Sequence, residues 1–426
     1  MYPWLEGLSE ALFEFVFLYP LAMSYVWMVG ALIFWWNFER KSPPLNKVLE
    51  LRRYPKVAIV IPCFNEEADL EETIANTLEH DYPAFEVIAI NDGSTDRTGE
   101  ILDRLAAADP RLRVIHQARN QGKAMALNMA AVMTDAELLL CIDGDALLSP
   151  DAARRMVYHF LKAPRVGAVT GNPRVRTRSS LLGLIQVGEF SSIIGLLKRA
   201  QRAYGRLFTA SGVITMFRRS ALHEVGYWSK DMLTEDTDIS WKLQLAHWSI
   251  HFEPSAVCWI LMPETLKGLW RQRLRWAMGG CQMVLRYASM WGLWRKRRMW
   301  PIYVEFMASL LWSYAMLATL ILWVLSVFQL PLHGFEVDAI LPRWTGVIVG
   351  TTCLLQIGLA LWLDRPYDKR LFRTLFWAIW YPLAYWTINM LTSVVAFPRV
   401  LMRRQGARAT WVSPDRGIRT QPKEAS

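Results

Sequence analysis

Cysteine is scarce in this chain, with five residues among 426, and none of the five has the C-x-x-C spacing. An odd number of widely spaced cysteines predicts no disulfide framework. We expect reduced thiols in the core, as is usual for a domain in the cytoplasm. The five residues are Cys63, Cys141, Cys258, Cys281 and Cys353.

Two common nucleotide-binding signatures are also missing. No G-x-G-x-x-G follows the first predicted strand, Val57–Ile61, and no G-x-x-x-x-G-K-[ST] occurs, which argues against a dinucleotide site and against a P-loop. The net charge of +10 has no nucleic-acid-binding module to account for it, so we expect no nucleic-acid partner. The basic residues instead flank apolar stretches, where they would face the anionic headgroups of a lipid bilayer.

Apolar residues are abundant, at 53% of the chain with 21 tryptophans. Four apolar stretches are long enough for a hydrocarbon core of about 30 Å. The first has no basic segment before it and no small-residue cleavage site after it, so we expect it to stay in place as a span. A globular domain, Lys47–Pro301, separates the first stretch from the rest. The stretches are Phe15–Trp36, Tyr303–Leu330, Trp344–Leu363 and Leu375–Phe397.

Basic residues predict the orientation of these stretches, because they favour the cytoplasmic side. Glu39-Arg40-Lys41 and Arg295-Lys296-Arg297-Arg298 flank the globular domain, which we therefore expect in the cytoplasm. The loop Pro331–Arg343 holds one basic residue and is expected outside. If Leu375–Phe397 crosses once, the basic tail lands outside; if it bends at Pro382 as a re-entrant hairpin, the tail stays in the cytoplasm, which we favour.

The globular domain begins with strands and helices in alternation. This order predicts an α/β fold with parallel pairing through right-handed crossovers. The predicted strands are Val57–Ile61, Phe85–Ile90, Arg113–His116 and Leu138–Ile142, and the predicted helices are Leu70–Leu78, Thr98–Ala107 and Ala124–Thr134.

The strand Leu138–Ile142 runs directly into Asp143-Gly144-Asp145. Two carboxylates this close repel each other unless a cation lies between them. Mg²⁺ or Mn²⁺ prefers such oxygen ligands and shares them with substrate phosphates, so the pattern predicts a metal–diphosphate site. The alternative is a solvated turn.

Polar side chains also follow the neighbouring strands. Asn65 and Glu66 follow the first strand and Asp92 the second, so they should meet the aspartates in one crevice at the carboxyl ends of the strands. Lys123 opens a helix, where it could meet a phosphate. The alternatives are an Asx turn for Asp92 and a surface position for Lys123.

The second half of the domain adds two further motifs. Glu235-Asp236 opens the predicted helix Ile239–Ala246; these acids either stabilise a helix N-terminus or supply the base that a sugar hydroxyl needs. Gln272, Arg275 and Trp276 have i, i+3, i+4 spacing and share one helix face, which is either a membrane-interface anchor or part of the site.

Three arginines alternate along the strand-like stretch Val169–Arg178. Arg174, Arg176 and Arg178 thus form one cationic face. It is either a solvated edge or a contact for an anionic donor.

These motifs, in this order, resemble those of the processive, inverting family-2 glycosyltransferases. The resemblance implies a GT-A fold, an α/β domain with a Rossmann-like nucleotide-sugar half and an acceptor half. That domain would lie in the cytoplasm, with transmembrane helices on both sides. The motifs are Pro62-Cys63-Phe64-Asn65-Glu66, Asn91-Asp92-Gly93-Ser94, Asn120-x-Gly122-Lys123, Asp143-Gly144-Asp145, Glu235-Asp236 and Gln272-x-x-Arg275-Trp276.

The resemblance also implies roles for single residues. Asp92 would hold the uridine and Asp145 the metal, Mg²⁺ or Mn²⁺. Asp236 would be the general base, with Glu235 as its helper. The remaining nucleotide-sugar residues would be Asn65, Glu66, Lys123 and Asp143, and the acceptor and diphosphate residues Gln272, Arg275 and Trp276.

We divide the chain accordingly into five segments. They are an N-terminal transmembrane helix (1–45), the GT-A domain (46–265), amphipathic interface helices (266–300), a C-terminal transmembrane region (301–400) and a basic tail (401–426).

A narrower resemblance is to the branch of this family that makes bacterial poly-β-1,6-N-acetyl-D-glucosamine. It implies transfer from UDP-GlcNAc to a growing polysaccharide, export across the inner membrane for a biofilm, a small membrane partner subunit and regulation by cyclic di-GMP. One predicted span precedes the domain, where many synthases have two. The stretches are Val169–Arg178, Ile185–Glu189, Ile239–Leu245, Trp259–Trp270 and Trp411–Gly417.

Two alternatives stay open at this point. One is a hyaluronan or chitin type of synthase, because no single residue reads an N-acetyl group. The other is a membrane receptor that binds a nucleotide without turning it over.

Overall fold

An eight-stranded mixed sheet forms the centre of the computed structural model, which describes residues 3–45, 47–330, 343–378, 381–404 and 406–409. The strand order is β3-β2-β1-β4-β7-β6-β8-β5. The strands are β1 (Val57–Cys63), β2 (Phe85–Asn91), β3 (Leu112–His116), β4 (Leu138–Ile142), β5 (Leu147–Leu148), β6 (Val166–Val175), β7 (Ile214–Arg218) and β8 (Ser249–Ile260).

Strands β1 to β4 form the parallel half of the sheet. Strands β1 and β4 are buried along their whole length, as expected for continuous apolar runs with helices on both faces. The predicted strands and helices of this half are confirmed to within one or two residues. The strand β1 continues through Pro62 to Cys63 instead of ending before the proline.

The helices cover both faces of the sheet. The helices α2, α3 and α5 pack on one face, and α4, α8 and α9 on the other. Their bounds are α1 (Pro3–Asn37), α2 (Leu70–Leu78), α3 (Thr98–Ala108), α4 (Lys123–Met133), α5 (Ala152–Lys162), α6 (Leu181–Glu189), α7 (Leu197–Ala203), α8 (Arg219–Glu224), α9 (Glu235–Leu245), α10 (Leu266–Tyr287), α11 (Trp300–Val327), α12 (Arg343–Asp364), α13 (Leu375–Ala378) and α14 (Tyr381–Met402).

The second half of the sheet reverses direction. Strand β7 is antiparallel to both β4 and β6, and β6 is parallel to β8. This reversal brings the segment before β7 beside the carboxyl end of β4, because the amino end of β7 (Ile214) pairs with the last residue of β4 (Ile142).

Four helices of the described residues are long and apolar enough to cross a membrane, which identifies a membrane protein. Three of them, Glu10–Lys41, Trp294–Val327 and Thr345–Asp364, contain or overlap predicted stretches. The fourth, Leu181–Ala203, is not among the predicted stretches.

Leu181–Ala203 connects β6 to β7, which pair directly with each other. A single crossing would place these two strands on opposite sides of the bilayer, so we infer that this helix does not cross. It includes α6, a π-helical turn (Phe190–Leu196) and α7, and it packs against α1 and α12. It therefore forms the surface of the domain on which the membrane helices rest.

The predicted fourth stretch, Leu375–Phe397, falls on α13 and α14 and is not among the four apolar helices. After α14, Arg408 Nη1 donates to Gln121 Oε1 at 3.3 Å and the Ala409 amide to the Lys230 carbonyl at 2.9 Å. Both partners belong to the sheet domain, so this part of the tail lies on the side of that domain. Most of the loop Pro331–Arg343 and the stretch Trp411–Gly417 lie outside the described residues.

A buried ion cluster joins the sheet domain to the ends of two membrane helices. Arg199 donates to both carboxylate oxygens of Glu39, at 2.7 and 2.9 Å, and to Asp364 at 2.8 Å. Arg174 donates to the other oxygen of Asp364 at 2.7 Å, and Tyr367 donates to Glu39 at 2.8 Å. The two positive and two negative charges balance, as burial requires.

The predicted cationic face is not a contact for an anionic donor, because each of its three arginines pairs with an acid of this chain. Arg174 pairs with Asp364, Arg176 with Glu72 at 2.7 Å, and Arg178 with Asp368. The partners come from distant parts of the chain.

Arg199→Met should lower the free energy of unfolding by about 3–5 kcal/mol, because it removes the arginine that neutralises the buried Glu39 and one of the two arginines that pair with Asp364. Denaturant titration in detergent, followed by tryptophan fluorescence, measures this. The control is Arg104→Met: Arg104 pairs with Glu71 on the surface, where the expected loss is about 0–1 kcal/mol. Equal losses in the two variants would contradict a structural role for the cluster.

Candidate functional site

The loop after β2 is tied to the loop before α4. The Asp92 carboxylate accepts from the Gln121 amide at 2.7 Å and from the Gly122 amide at 2.8 Å. Asp92 is fully buried, and burial raises the pKa of its carboxyl while the two amides oppose the rise. A hydrogen bond that Asp92 accepts from a base or a ribose would add to these two backbone hydrogen bonds and would not replace them.

The loop after β1 meets both neighbouring loops. Asn65 has φ 55°, and its Oδ1 accepts from the Thr95 amide at 2.9 Å. Glu66 is buried, and its Cγ lies 3.1 Å from the position that a Cβ on Gly144 would take. The structure therefore brings together the ends of β1, β2 and β4, as the sequence predicts.

Asp143 and Asp145 lie at the end of β4. The Lys123 ammonium donates to Asp143 Oδ1 at 2.5 Å. Burial raises the pKa of the Cys258 thiol, and the negative charges of Asp143 and Asp145 add to the rise. Asp145 is almost fully buried at 7% exposure.

The donor set suits a divalent cation that shares its ligands with a substrate. Among the described residues, no group of three His, Cys, Asp or Glu is arranged to hold a metal on its own. Magnesium-type sites commonly use one or two carboxylates plus substrate phosphates, so two hard oxygen ligands at a strand end fit. The Lys123 ammonium already pairs with Asp143 as a positive charge.

Lys123 also connects this strand end to the Glu235-Asp236 motif. Its Nζ donates to the Gly212 carbonyl at 3.1 Å and lies 3.7 Å from Glu235 Oε1. The Gly212 amide in turn donates to Asp236 Oδ2 at 3.0 Å. Burial lowers the pKa of Lys123, but Asp143 and Glu235 outweigh it and the pKa is raised, so the ammonium stays charged.

The two acids at the start of α9 have different surroundings. Glu235 is buried, and burial raises the pKa of its carboxyl against the lowering effect of Lys123 and Arg275. Asp236 is half-buried, and its Oδ1 accepts from the Thr237 amide at 2.8 Å. Asp236 therefore binds a helix N-terminus and still reaches the crevice, so the two interpretations of this motif are compatible.

Helix α10 packs closely against the residue before Glu235. A Cβ on Gly279 would lie 2.2 Å from Thr234 Oγ1, so only glycine permits this approach. Further along α10, Gln282 Oε1 accepts from the Leu233 amide at 3.0 Å. The helix that carries the Gln-Arg-Trp motif thus fixes the segment that carries the two acids.

The three residues of that motif have different environments. Arg275 is exposed, and its positive charge lowers the pKa of Glu235. Gln272 Oε1 is buried, and no described group donates a hydrogen bond to it. Trp276 is 37% exposed, with the Arg273 guanidinium 4.2 Å from its ring centroid.

Several residues near the site had no sequence signal. Gly212 and Arg273 belong to no motif, although Arg273 lies inside the Gln-Arg-Trp stretch. Lys198 is buried on α7, where its Nζ donates to Thr170 Oγ1 at 3.2 Å. Arg408 reaches the donor side from the tail.

The expectation of reduced cysteines is confirmed. All five are free, and four of them are buried. Burial raises the pKa of the Cys141 thiol to about 12, which makes it inert.

A family model described as "Glycosyltransferase like family 2" matches residues 55–279, which contain every site residue that the sequence predicts. The chain belongs to glycosyltransferase family 2. As a member, it is an enzyme that transfers a sugar from an activated donor.

Curated relatives of this glycosyltransferase match it along nearly its whole length. A poly-beta-1,6-N-acetyl-D-glucosamine synthase of Staphylococcus epidermidis is 38% identical over 410 residues, covering 95% of this chain and 98% of the relative. One from Staphylococcus aureus (strain COL) is 39% identical over 415 residues, with the same coverage.

The GT-A fold has a solved counterpart. The structure of the mannosyltransferase PcManGT from Pyrobaculum calidifontis, in complex with GDP-Man and Mn²⁺, aligns with a TM-score of 0.57 at 21% identity. The alignment covers 92% of this chain and 99% of that one.

Gly279→Ala should reduce transfer about 10- to 100-fold, because the added methyl group displaces Thr234 and the neighbouring acids. The measurement is sugar incorporation by membranes with equal amounts of each variant. Gly350→Ala is the control, since a Cβ there meets nothing within 4 Å and should change the rate by no more than about twofold. Thr234→Ala in the Gly279→Ala chain should restore part of the activity; no restoration would show that the contact is not the cause.

Proposed function

We propose that this family-2 glycosyltransferase is a processive, inverting synthase of poly-β-1,6-N-acetyl-D-glucosamine that uses UDP-GlcNAc. The relatives that match 95% of the chain carry that name. The observation that carries the mechanism is the single crevice in which Lys123 links Asp143 to Glu235 and, through Gly212, to Asp236.

The donor half would bind UDP. Asn65, Glu66, Asp92, Lys123 and Asp143 surround the ends of three parallel strands, where such sheets place ligands. Asp145, with Asp143 beside it, would hold Mg²⁺ or Mn²⁺ on the diphosphate. A divalent cation there supplies charge that offsets the negative charge gained by the leaving UDP.

The acceptor half would supply the base. Asp236 takes the proton of the acceptor 6-hydroxyl as its oxygen forms a bond to C1 of GlcNAc; the bond from C1 to UDP breaks, and UDP leaves with the electron pair. Attack from the opposite face inverts the configuration to β. Arg275 stabilises the charge on UDP, and Gln272 Oε1 accepts from an acceptor hydroxyl.

We propose that the membrane helices lead the product out of the inner membrane. A cavity of about 90 Å³ lies between α1, the π-helical turn, α11, α12 and α14. Aromatic rings and amides line it, the groups that suit sugar faces and hydroxyls. They include Tyr19, Trp27, Trp312, Gln356, Trp386 and Asn389.

From the family resemblance we also propose a small membrane partner subunit and stimulation by cyclic di-GMP. The basic residues on both flanks of the domain support a cytoplasmic position for it.

The deciding assay is incorporation of radiolabelled GlcNAc from UDP-GlcNAc by membranes, with and without the partner subunit. Polymer should form with Mg²⁺ or Mn²⁺, stop with EDTA and be cut by a β-1,6-specific hexosaminidase. Polymer that resists this hexosaminidase would identify the product as chitin or hyaluronan instead. If the protein binds the nucleotide but releases no UDP, even with the partner subunit present, it acts as a nucleotide-binding receptor and not as a synthase.

Two substitutions should separate the base from the metal ligand. Asp236→Asn should abolish transfer while UDP still binds, because it removes only the proton acceptor. Asp145→Ala should abolish transfer and also weaken UDP binding, in a way that added metal does not restore. Calorimetric titration with UDP distinguishes the two; near-normal turnover by Asp236→Asn would refute the assignment of the base.

A further inference from the structure

Two buried charged residues, Glu189 and Arg273, lie behind the Gln-Arg-Trp motif and have no part in the reaction above. Arg273 Nη2 donates to Glu189 Oε2 at 2.9 Å, and the two side chains are 8% and 9% exposed. Glu189 is the last residue of α6, and Arg273 belongs to α10. The pair therefore joins two helices that are distant in sequence.

Arg273 also stacks on Trp276, three residues along α10. Its Cζ lies 4.2 Å from the ring centroid, the shortest cation–ring distance in the described part of the chain. The guanidinium covers one face of the indole, so only the opposite face can receive a sugar. Trp276 is 37% exposed, which leaves room for that contact.

A guanidinium can perform both tasks at once. Its planar fork donates to a carboxylate along one edge while its face stacks on an aromatic ring. A lysine ammonium has no such plane. The buried Glu189 carboxylate holds the Arg273 guanidinium in place. The guanidinium in turn determines the orientation of the Trp276 indole, on whose ring it stacks.

Glu189 also lies beside the membrane cavity. The π-helical turn begins directly after it, and Ser192 and Ile193 of that turn line the cavity. The backbone thus connects the cavity wall to Glu189, and side-chain contacts continue from Glu189 through Arg273 to Trp276.

We propose that Arg273, fixed by Glu189, is a positioning residue that holds Trp276 with its open face toward the terminal sugar of the acceptor. It sets acceptor affinity and polymer length, and it does not act on the donor. This inference rests on the proposed function.

The test removes both charges together, because Arg273→Met alone leaves Glu189 buried without a partner. In the Glu189→Met, Arg273→Met chain, the KM for a β-1,6-linked GlcNAc oligosaccharide acceptor should rise about 3- to 30-fold. The polymer should become shorter, while the KM for UDP-GlcNAc stays unchanged. Arg273→Lys should fall between this variant and the wild type, because it keeps the charge and loses the fork.

A cycle with Trp276→Leu distinguishes positioning from a general structural role. If Arg273 acts through the ring, the double change adds nothing in the Trp276→Leu chain. The matched control is Arg154→Met with Asp81→Met: Arg154 donates to Asp81 at 2.7 Å, lies 5.5 Å from the Tyr54 ring and is equally buried at 8%. That variant should leave the acceptor KM unchanged.

An unchanged acceptor KM, a parallel rise in the KM for UDP-GlcNAc, or an undiminished effect in the Trp276→Leu chain would each overturn the inference. A wild-type chain that makes no β-1,6-linked polymer would instead refute the proposed function. The two failures are therefore distinguishable.

Discussion

The ammonium group of Lys123 is the charge around which the site is arranged. Carboxylates from the end of β4 and the start of α9 repel each other in a partly buried crevice unless a positive charge lies between them. Lys123 contacts Asp143 and the Gly212 carbonyl and lies near Glu235. Without Lys123, the carboxylates of Asp143 and Glu235 would lie close together with no positive charge between them in the substrate-free enzyme. The reversal of strand direction at β7 places these groups together.

The sequence predicts the parallel half of the fold well, because its strands are short apolar runs that end at turn residues. Leu138–Ile142 and Leu70–Leu78 have the predicted bounds. The prediction fails where a segment depends on a distant partner. Leu181–Ala203 is as apolar as a membrane span, and only the pairing of β6 with β7 shows that both its ends return to one sheet.

The site shows the same division. Carboxylates at strand ends could be found from the pattern, since buried strands rarely end in two acids without a reason. The positions of Arg174 and Arg178 could not, because alternation indicates a common face and not the identity of the partner. Gly212 acts through its backbone amide and carbonyl, which leave no trace in a sequence.

In the cluster around Arg199, carboxylates at the ends of two membrane helices neutralise arginines of the sheet domain. Glu39 follows α1 and Asp364 ends α12, yet both neutralise arginines that belong to the domain. A fragment cut free of its anchors would leave the guanidinium groups of Arg174 and Arg199 without these two carboxylates. A water-soluble form of this enzyme would therefore need new residues at positions 174 and 199 as well as the loss of its apolar helices. The membrane helices therefore supply buried charges that the sheet domain requires, in addition to holding it at the membrane.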